Sequence, residues 1–320
     1  MTTDFSPELI DSPFQNTLIL TGPTGSGKSM LALELAGRLN AEIIAADSMT
    51  LYRGMDIGTA KPSAADRARV PHHLIDVLDP WESANVAGWL DQAAECVADV
   101  EARGKIALFV GGTPFYLKAL LCGLFPSPPS DEELRRKIEA EADRDGRQAL
   151  HARLASVDPV TAQRLHPNDV RRVVRALEVW HHTGKPISEW QREAWWDGET
   201  PRFPPGSCLA LDVPRSELYF RIDRRVEAMF ASGWVDEVKR LRELPRPLGR
   251  EASHALGYRE IMEYLDGRRS LEETVAEVQL RTRQFAKRQL TWFRALPGCE
   301  SVDPKLTFER WVSRMSGGFA

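Results

Sequence analysis

Apolar residues recur along this chain in two alternating rhythms, one suited to buried strands and one to the helices that cover them. Thr17-Leu18-Ile19-Leu20-Thr21 is a continuous apolar, β-branched run that stops at a glycine-rich turn, and it predicts a buried strand. From Gly27 to Leu39 the period lengthens: Leu31, Leu35 and Leu39 recur every four residues and predict one apolar helix face. Glu42 to Ala46 predicts a second strand, ending at Asp47. Val86 to Arg103 has helical spacing and stops at Gly104, a residue suited to closing a helix. Ile106 to Val110 is a further strand-like run, followed by Gly111-Gly112 and a helix for which Thr113 is a good N-cap and Pro114 a suitable first residue. Strands alternating with helices predict a parallel sheet covered on both faces.

The rhythm changes at Phe125-Pro126-Ser127-Pro128-Pro129-Ser130, a linker-like stretch. From there to about Pro205 the pattern is helical and polar, with no strand-like run; Cys208 to Val213 then resembles a strand, and a helix follows from near Ser216. The expected organisation is an α/β core over residues 14–125, a helical insertion over 126–205, and the core resumed with C-terminal helices over 206–315.

Composition changes this picture little. The 320 residues are 42% hydrophobic and 28% charged, the make-up of an ordinary globular protein. A net charge of −4 gives no overall bias towards nucleic acid, so any basic surface must be local. Cys96, Cys122, Cys208 and Cys299 have no C-x-x-C spacing, which argues for reduced thiols rather than a disulfide framework or zinc site. Met1 to Pro13 carries Asp4, Glu8 and Asp11 without a long apolar run, the pattern of a disordered tail rather than a signal peptide. No run of 18 apolar residues occurs, so no membrane span is predicted and a cytoplasmic protein is expected.

Chemistry enters at Gly22-Pro23-Thr24-Gly25-Ser26-Gly27-Lys28-Ser29. This run fits the phosphate-binding loop pattern G-x-x-x-x-G-K-[ST] and lies between a predicted strand and helix, the context that motif requires. Its glycines let backbone N–H groups turn towards an anion, and the helix N-terminus adds its dipole. Lys28 supplies a positive charge, and Ser29 is a candidate Mg2+ ligand. The fold class expected is therefore α/β, a P-loop NTPase-like parallel sheet with an inserted all-helical domain. Enzymes that spend a nucleotide commonly place an acid at the end of a second strand to hold the metal. Here the run Ile106–Val110 ends in Gly111-Gly112-Thr113, offering a hydroxyl and a helix start instead. Asp47, at the carboxyl end of its strand, lies where open α/β sheets place ligands, fitting metal binding, proton abstraction or a loop cap.

The block Asp47-Ser48-Met49-Thr50-Leu51-Tyr52-Arg53-Gly54-Met55-Asp56-Ile57-Gly58-Thr59-Ala60-Lys61-Pro62 resembles the segment after the second strand of bacterial tRNA dimethylallyltransferases. Pro71 to Asp76, Val110 to Thr113 with Tyr116, His166 to Asp169, Leu256 to Tyr258 and Arg283 to Gln289 follow in that family's order. The resemblance runs from about Thr17 to Arg294; Thr50 stands where Gln is common, and Pro114-Phe115 replaces the usual residues.

The resemblance implies transfer of a dimethylallyl group from its diphosphate to the exocyclic amine of the adenosine beside the anticodon, with Mg2+ required. It implies that Gly22 to Ser29 binds the donor's diphosphate, that Asp47 is the general base, and that Thr113 and Arg225 contact the reacting groups. The tRNA anticodon arm would be held by Asp47, Ser48, Met49, Thr50 and Thr113, by Arg135, Arg171, Arg172, Val173, Val174 and Arg175, and by His254, Gly257, Tyr258 and Arg259. A monomer is expected.

Local charge agrees with an RNA partner. Arg164, Arg171, Arg172 and Arg175 lie in the insertion, and Arg281, Arg283, Lys287, Arg288 and Arg294 form a basic stretch interleaved with Phe285, Trp292 and Phe293. Arg224 reads as part of a solvated helix face, and Trp292 and Phe293 as core residues. Three other functions stay open at this point: prenyl transfer to a free adenine nucleotide, phosphoryl transfer by a nucleoside monophosphate kinase, and RNA binding with an idle P-loop.

Overall fold

The computed structural model describes residue 14 and residues 17–124, 128, 130–193, 203–306 and 309–311. The tail expected over Met1–Pro13 lies outside the described residues, as do four of the six linker residues from Phe125 to Ser130. Two compact units form, one from the described residues of Leu9–Leu121 with Pro201–Ala320, the other from those of Cys122–Thr200.

In the first unit, β1 (Thr17–Thr21) leads into α1 (Lys28–Leu39), followed by β2 (Ala41–Ala45), α2 (Ala64–Arg69), the two-residue β3 (His72–His73) and α3 (Val86–Ala102). Next come β4 (Ile106–Gly111) and α4 (Pro114–Cys122), which reaches the unit boundary. The second unit contains α5 (Glu132–Asp145), α6 (Arg147–Val157), α7 (Pro159–Arg164), α8 (Val170–Thr183) and α9 (Ile187–Glu193). The chain then returns to the first unit with β5 (Cys208–Leu211), α10 (Arg215–Ala231), α11 (Trp234–Arg242), α12 (Arg250–Ser253), α13 (Tyr258–Leu265), α14 (Leu271–Phe293) and β6 (Cys299–Val302).

The six strands form one sheet in the order β3-β2-β4-β1-β5-β6, and every pairing is parallel. A parallel sheet hides both faces, which is why β1 and β2 are buried at all five positions rather than at alternate ones. Leu18, Leu20, Leu108 and Leu209 meet Ala32, Leu35 and Ala36 of α1 in one apolar cluster. Glu42 is the charged exception in β2. Burial would push its carboxyl up, but hydrogen bonds from Lys105, Arg103 and His73 outweigh that and hold it at about 2.

Among the described residues the second unit has no strand. Its core joins Ile138 and Ala142 of α5, Leu150 and Leu154 of α6, and Val173, Val174, Ala176 and Leu177 of α8. Glu178 is fully buried there; its carboxylate accepts hydrogen bonds from the Asp131 N–H at 2.7 Å and from Arg135 and Arg175.

Candidate active site

The carboxyl ends of β1, β2 and β4 each open into a loop bearing one sequence-predicted group. After β1 the chain turns at Gly22 and enters α1 through Gly27, which caps the helix at φ +90°, a left-handed conformation that glycine adopts at no steric cost. Ser26 Oγ is buried at 2% exposure and has no hydrogen-bond partner, as a hydroxyl built to meet a ligand would be. Ser29 is exposed on the first turn of α1.

Two later helices brace this loop. Arg221 of α10 donates to the Ser26 carbonyl at 3.2 Å and pairs with Glu217 at 2.5 Å. From α14, Gln289 accepts the Thr24 N–H at 2.9 Å and donates to the Gly112 carbonyl at 2.6 Å.

Arg225 lies close enough to Lys28 to influence its charge, with Asp47 acting on both. Burial lowers the Lys28 ammonium to about 8, with the positive charge of Arg225 adding to the effect and Asp47 opposing it. Burial likewise lowers Arg225, again opposed by Asp47. Two desolvated cations beside one carboxylate are poised for a polyanion, whose charge would repay their lost hydration.

Asp47 begins the loop after β2. Its Oδ1 accepts the Met49 N–H at 2.9 Å, and its own carbonyl accepts the Thr50 hydroxyl at 3.2 Å. Thr113 stands at the N-cap position of α4, as expected, with its carbonyl accepting the Leu117 N–H at 3.1 Å, while its Oγ1 accepts the Ser48 N–H at 3.0 Å and so ties the loop after β4 to the loop after β2. The same hydroxyl lies 3.4 Å from Ser48 Oγ. Tyr116, stacked on Trp89 with ring centroids 4.6 Å apart, is buried behind this bridge. Its burial, and after that the charges of Tyr52 and Asp47, push its phenol well above the ordinary value.

The rest of the Asp47–Pro62 block is held by α11, a contribution that residue spacing did not reveal. Glu237, 1% exposed, accepts hydrogen bonds from the N–H groups of Asp56 at 2.9 Å, Ile57 at 2.7 Å and Gly58 at 3.3 Å, and from the Tyr258 hydroxyl at 2.7 Å. Trp234 lies between Gly58 and Gly257: a Cβ on either would come within 2.3 Å and 2.1 Å, respectively, of its indole. Lys61, its side chain 1% exposed, donates to the Tyr52 carbonyl and pairs with Asp56 and Asp76. A cavity of about 520 Å³ opens beside this loop, lined in part by Ile57, Ala60, Lys61, Arg67, Arg225 and Met229.

The residues expected to face RNA divide by burial. His254 and Arg259 are exposed, with His254 Nδ1 held by the Arg250 carbonyl at 2.7 Å and Arg259 paired with Glu263. Tyr258 is fully buried, so its hydroxyl serves Glu237 and not a surface. In the helical unit, Arg171 and Arg172 are exposed, whereas Val173 and Val174 are core residues. Arg135 and Arg175 are partly buried and bonded to Glu178. On α14, Lys287 and Arg288 are exposed and Phe293 is buried, but Trp292, expected in the core, is 37% exposed.

A parallel sheet with a phosphate loop after its central strand, and with an acid and a hydroxyl on the neighbouring loops, defines an α/β P-loop protein built for chemistry on a phosphorylated substrate. Comparison with known proteins makes this specific. The family model described as IPP transferase matches residues 50–296, and the chain belongs to that family. It is 50% identical over 281 residues to a tRNA dimethylallyltransferase of Geobacter metallireducens, covering 87% of this chain and 89% of that one. To its counterpart in Geobacter sulfurreducens it is 47% identical over 294 residues, covering 91% and 93% of the two chains. Among solved structures, a tRNA isopentenylpyrophosphate transferase of Bacillus halodurans superposes with a TM-score of 0.66 at 37% identity, covering 95% of this chain and 96% of that one. A eukaryotic dimethylallyltransferase acting on tRNA gives 0.76 at 31% identity, over 90% of this chain and 73% of that one.

Proposed function

We infer that this protein transfers a dimethylallyl group from dimethylallyl diphosphate to the N6 amine of the adenosine 3′-adjacent to the anticodon in tRNA, releasing diphosphate. Family membership supports the reaction class. The observation that carries the assignment of roles is the convergence of Lys28, Arg225 and Asp47, with Asp47 on a loop tied to Thr113.

The exocyclic amine of adenine is a weak nucleophile because its lone pair is delocalised into the ring. On this reading N6 bonds to C1 of the dimethylallyl group while the C1–O bond breaks and diphosphate leaves with the electron pair. Asp47 takes the N6 proton, an assistance worth about 10²–10⁴-fold. The loop amides of Gly22 to Ser29, with Lys28 and Arg225, stabilise the charge developing on the leaving group. Thr113 holds Ser48, and through it the start of the Asp47 loop, against the end of β4. The adenine must leave the stacked anticodon loop to reach Asp47, at a cost of roughly a few kcal/mol.

Magnesium uses few protein ligands and completes its shell with substrate phosphates and water, which fits a lone exposed Ser29 hydroxyl beside the phosphate loop. Ser29 would hold the ion, which when bound supplies further positive charge against the diphosphate. In the helical unit Arg171 and Arg172 are exposed basic groups suited to an RNA backbone, and in the first unit, taken by itself, His254, Arg259, Lys287 and Arg288 are exposed polar and basic groups of the same kind. The protein then works on tRNA in the cytoplasm, as a monomer. Among the described residues no helix is long and apolar enough to cross a membrane.

Incubation with dimethylallyl diphosphate labelled in the prenyl group, unmodified tRNA and Mg2+ tests this. Label should enter tRNA and not free AMP, with one diphosphate released per transfer. Label in AMP, or ATP turnover without prenyl transfer, would overturn it.

A further inference from the structure

We propose that Gln289 is a positioning residue for prenyl transfer: it sets the spacing between the phosphate loop and the Gly112–Thr113 segment, and so between leaving group and base. This rests on the function proposed above.

Gln289 lies on α14 directly after the exposed basic residues Lys287 and Arg288, yet it is only 3% exposed. A buried amide must find partners for both its ends. Here neither partner is on α14 or near it in sequence. Oε1 accepts from the Thr24 N–H, 265 residues away, and Nε2 donates to the Gly112 carbonyl, 177 residues away. The amide has one orientation in which both bonds form, because a flip would set N–H against N–H and oxygen against oxygen.

The two loops it joins carry separate halves of the reaction. One cradles the diphosphate. The other leads through Thr113 to the Ser48 N–H and so to the residue after Asp47. The ladder between β1 and β4 keeps these loops in register only as far as the Thr21–Gly111 pair. Beyond that pair, Gln289 spans the gap where the sheet no longer does. Gly112 makes room for it, since a Cβ there would lie 2.7 Å from Nε2 and 3.5 Å from Lys28 Nζ. A neutral amide at this point also braces the loop without neutralising Lys28. A carboxylate in its place would pair with that ammonium and compete with the diphosphate.

The test is the kinetics of Gln289→Met, which keeps the volume and loses both bonds, in wild-type and Thr113→Ala backgrounds. Misplacing reacting groups by about 1 Å costs on the order of 100-fold, so kcat should fall about 10- to 100-fold while the KM for tRNA stays unchanged. With Thr113→Ala already cutting the path to Ser48, the same substitution should cost much less. Gln289→Glu is the second variant: it keeps the Thr24 bond, and it should lower kcat and raise the donor KM by capturing Lys28. Thermal unfolding and tRNA binding are measured alongside, and if Gln289→Met does not fold, Gln289→Glu decides. A wild-type kcat in the folded variants overturns the proposal. So does an equal loss in both backgrounds, the signature of simple destabilisation. Absence of transfer by the wild-type protein would instead overturn the function itself.

Discussion

Glu237→Ala removes the carboxylate that closes the loop after β2 onto α11. In the wild type this side chain, 1% exposed, accepts four hydrogen bonds, from the N–H groups of Asp56, Ile57 and Gly58 and from the Tyr258 hydroxyl. Alanine leaves the buried Tyr258 hydroxyl without this acceptor and removes the anchor of three partly buried N–H groups. A lost hydrogen bond costs about 1 kcal/mol net, which gives about 4 kcal/mol for the four. That is a large share of a typical folding stability of about 5–15 kcal/mol. For a unit of this size each kcal/mol corresponds to about 2–4 °C, which predicts a fall in melting temperature of roughly 8–16 °C. Glu237→Gln keeps the volume and one acceptor oxygen and should lose about half as much. Thermal unfolding by circular dichroism, with urea unfolding as a cross-check, measures both. If Glu237→Ala melts within about 2 °C of wild type, the loop does not depend on this carboxylate and the reasoning fails.

The lowered pKa of Lys28 predicts a pH dependence. The ammonium, held at about 8, is charged below that pH and neutral above it, so donor KM should rise up to about tenfold per pH unit above 8. Lys28→Arg should flatten that rise, and an unchanged profile in the variant would contradict it. The same shift means the folded state gives up its proton before the unfolded one, whose lysine titrates near 10.5, so the buried charge costs stability at neutral pH. Lys28→Met should therefore abolish donor binding yet stabilise the fold by up to about 3 kcal/mol, read as a higher melting temperature. Gly257→Ala puts a Cβ 2.1 Å from Trp234 at a backbone φ of +89° and should destabilise by at least about 1–3 kcal/mol; a neutral effect in urea unfolding would rule out the clash. Glu178→Ala removes the buried acceptor shared by Arg135, Arg175 and the Asp131 N–H in the helical unit, and a loss of about 1–3 kcal/mol should appear there as faster hydrogen exchange in α5 and α8.

What could be read from the sequence was what is local. The run Thr17–Thr21, the glycine loop and α1 are consecutive, and the loop's chemistry follows from residues within a few positions of one another. Asp47 and Thr113 stood out because each follows a strand-like run. The two-residue β3 and the strand Cys-Glu-Ser-Val at β6 carry no periodicity and are strands only through their neighbours, β2 and β5. Glu237 gave no local signal either, and Gln289, although it closes the Arg283–Gln289 motif, gave none of its bracing role. Each is a polar residue on an ordinary amphipathic helix, and what sets it apart is a backbone partner about 180 to 265 residues away. The resemblance drew Val173, Val174 and Tyr258 into the RNA-facing set by motif position. Burial, which motif position does not encode, assigns their side chains to packing.

The central claim is that Asp47 removes a proton from an acceptor while the phosphate loop holds the donor. Single-turnover prenyl transfer to tRNA by Asp47→Asn, with donor and tRNA binding measured on the same preparation, tests it most directly. The account predicts a rate loss of about 10²–10⁴-fold with both affinities kept. Transfer at the wild-type rate would contradict it.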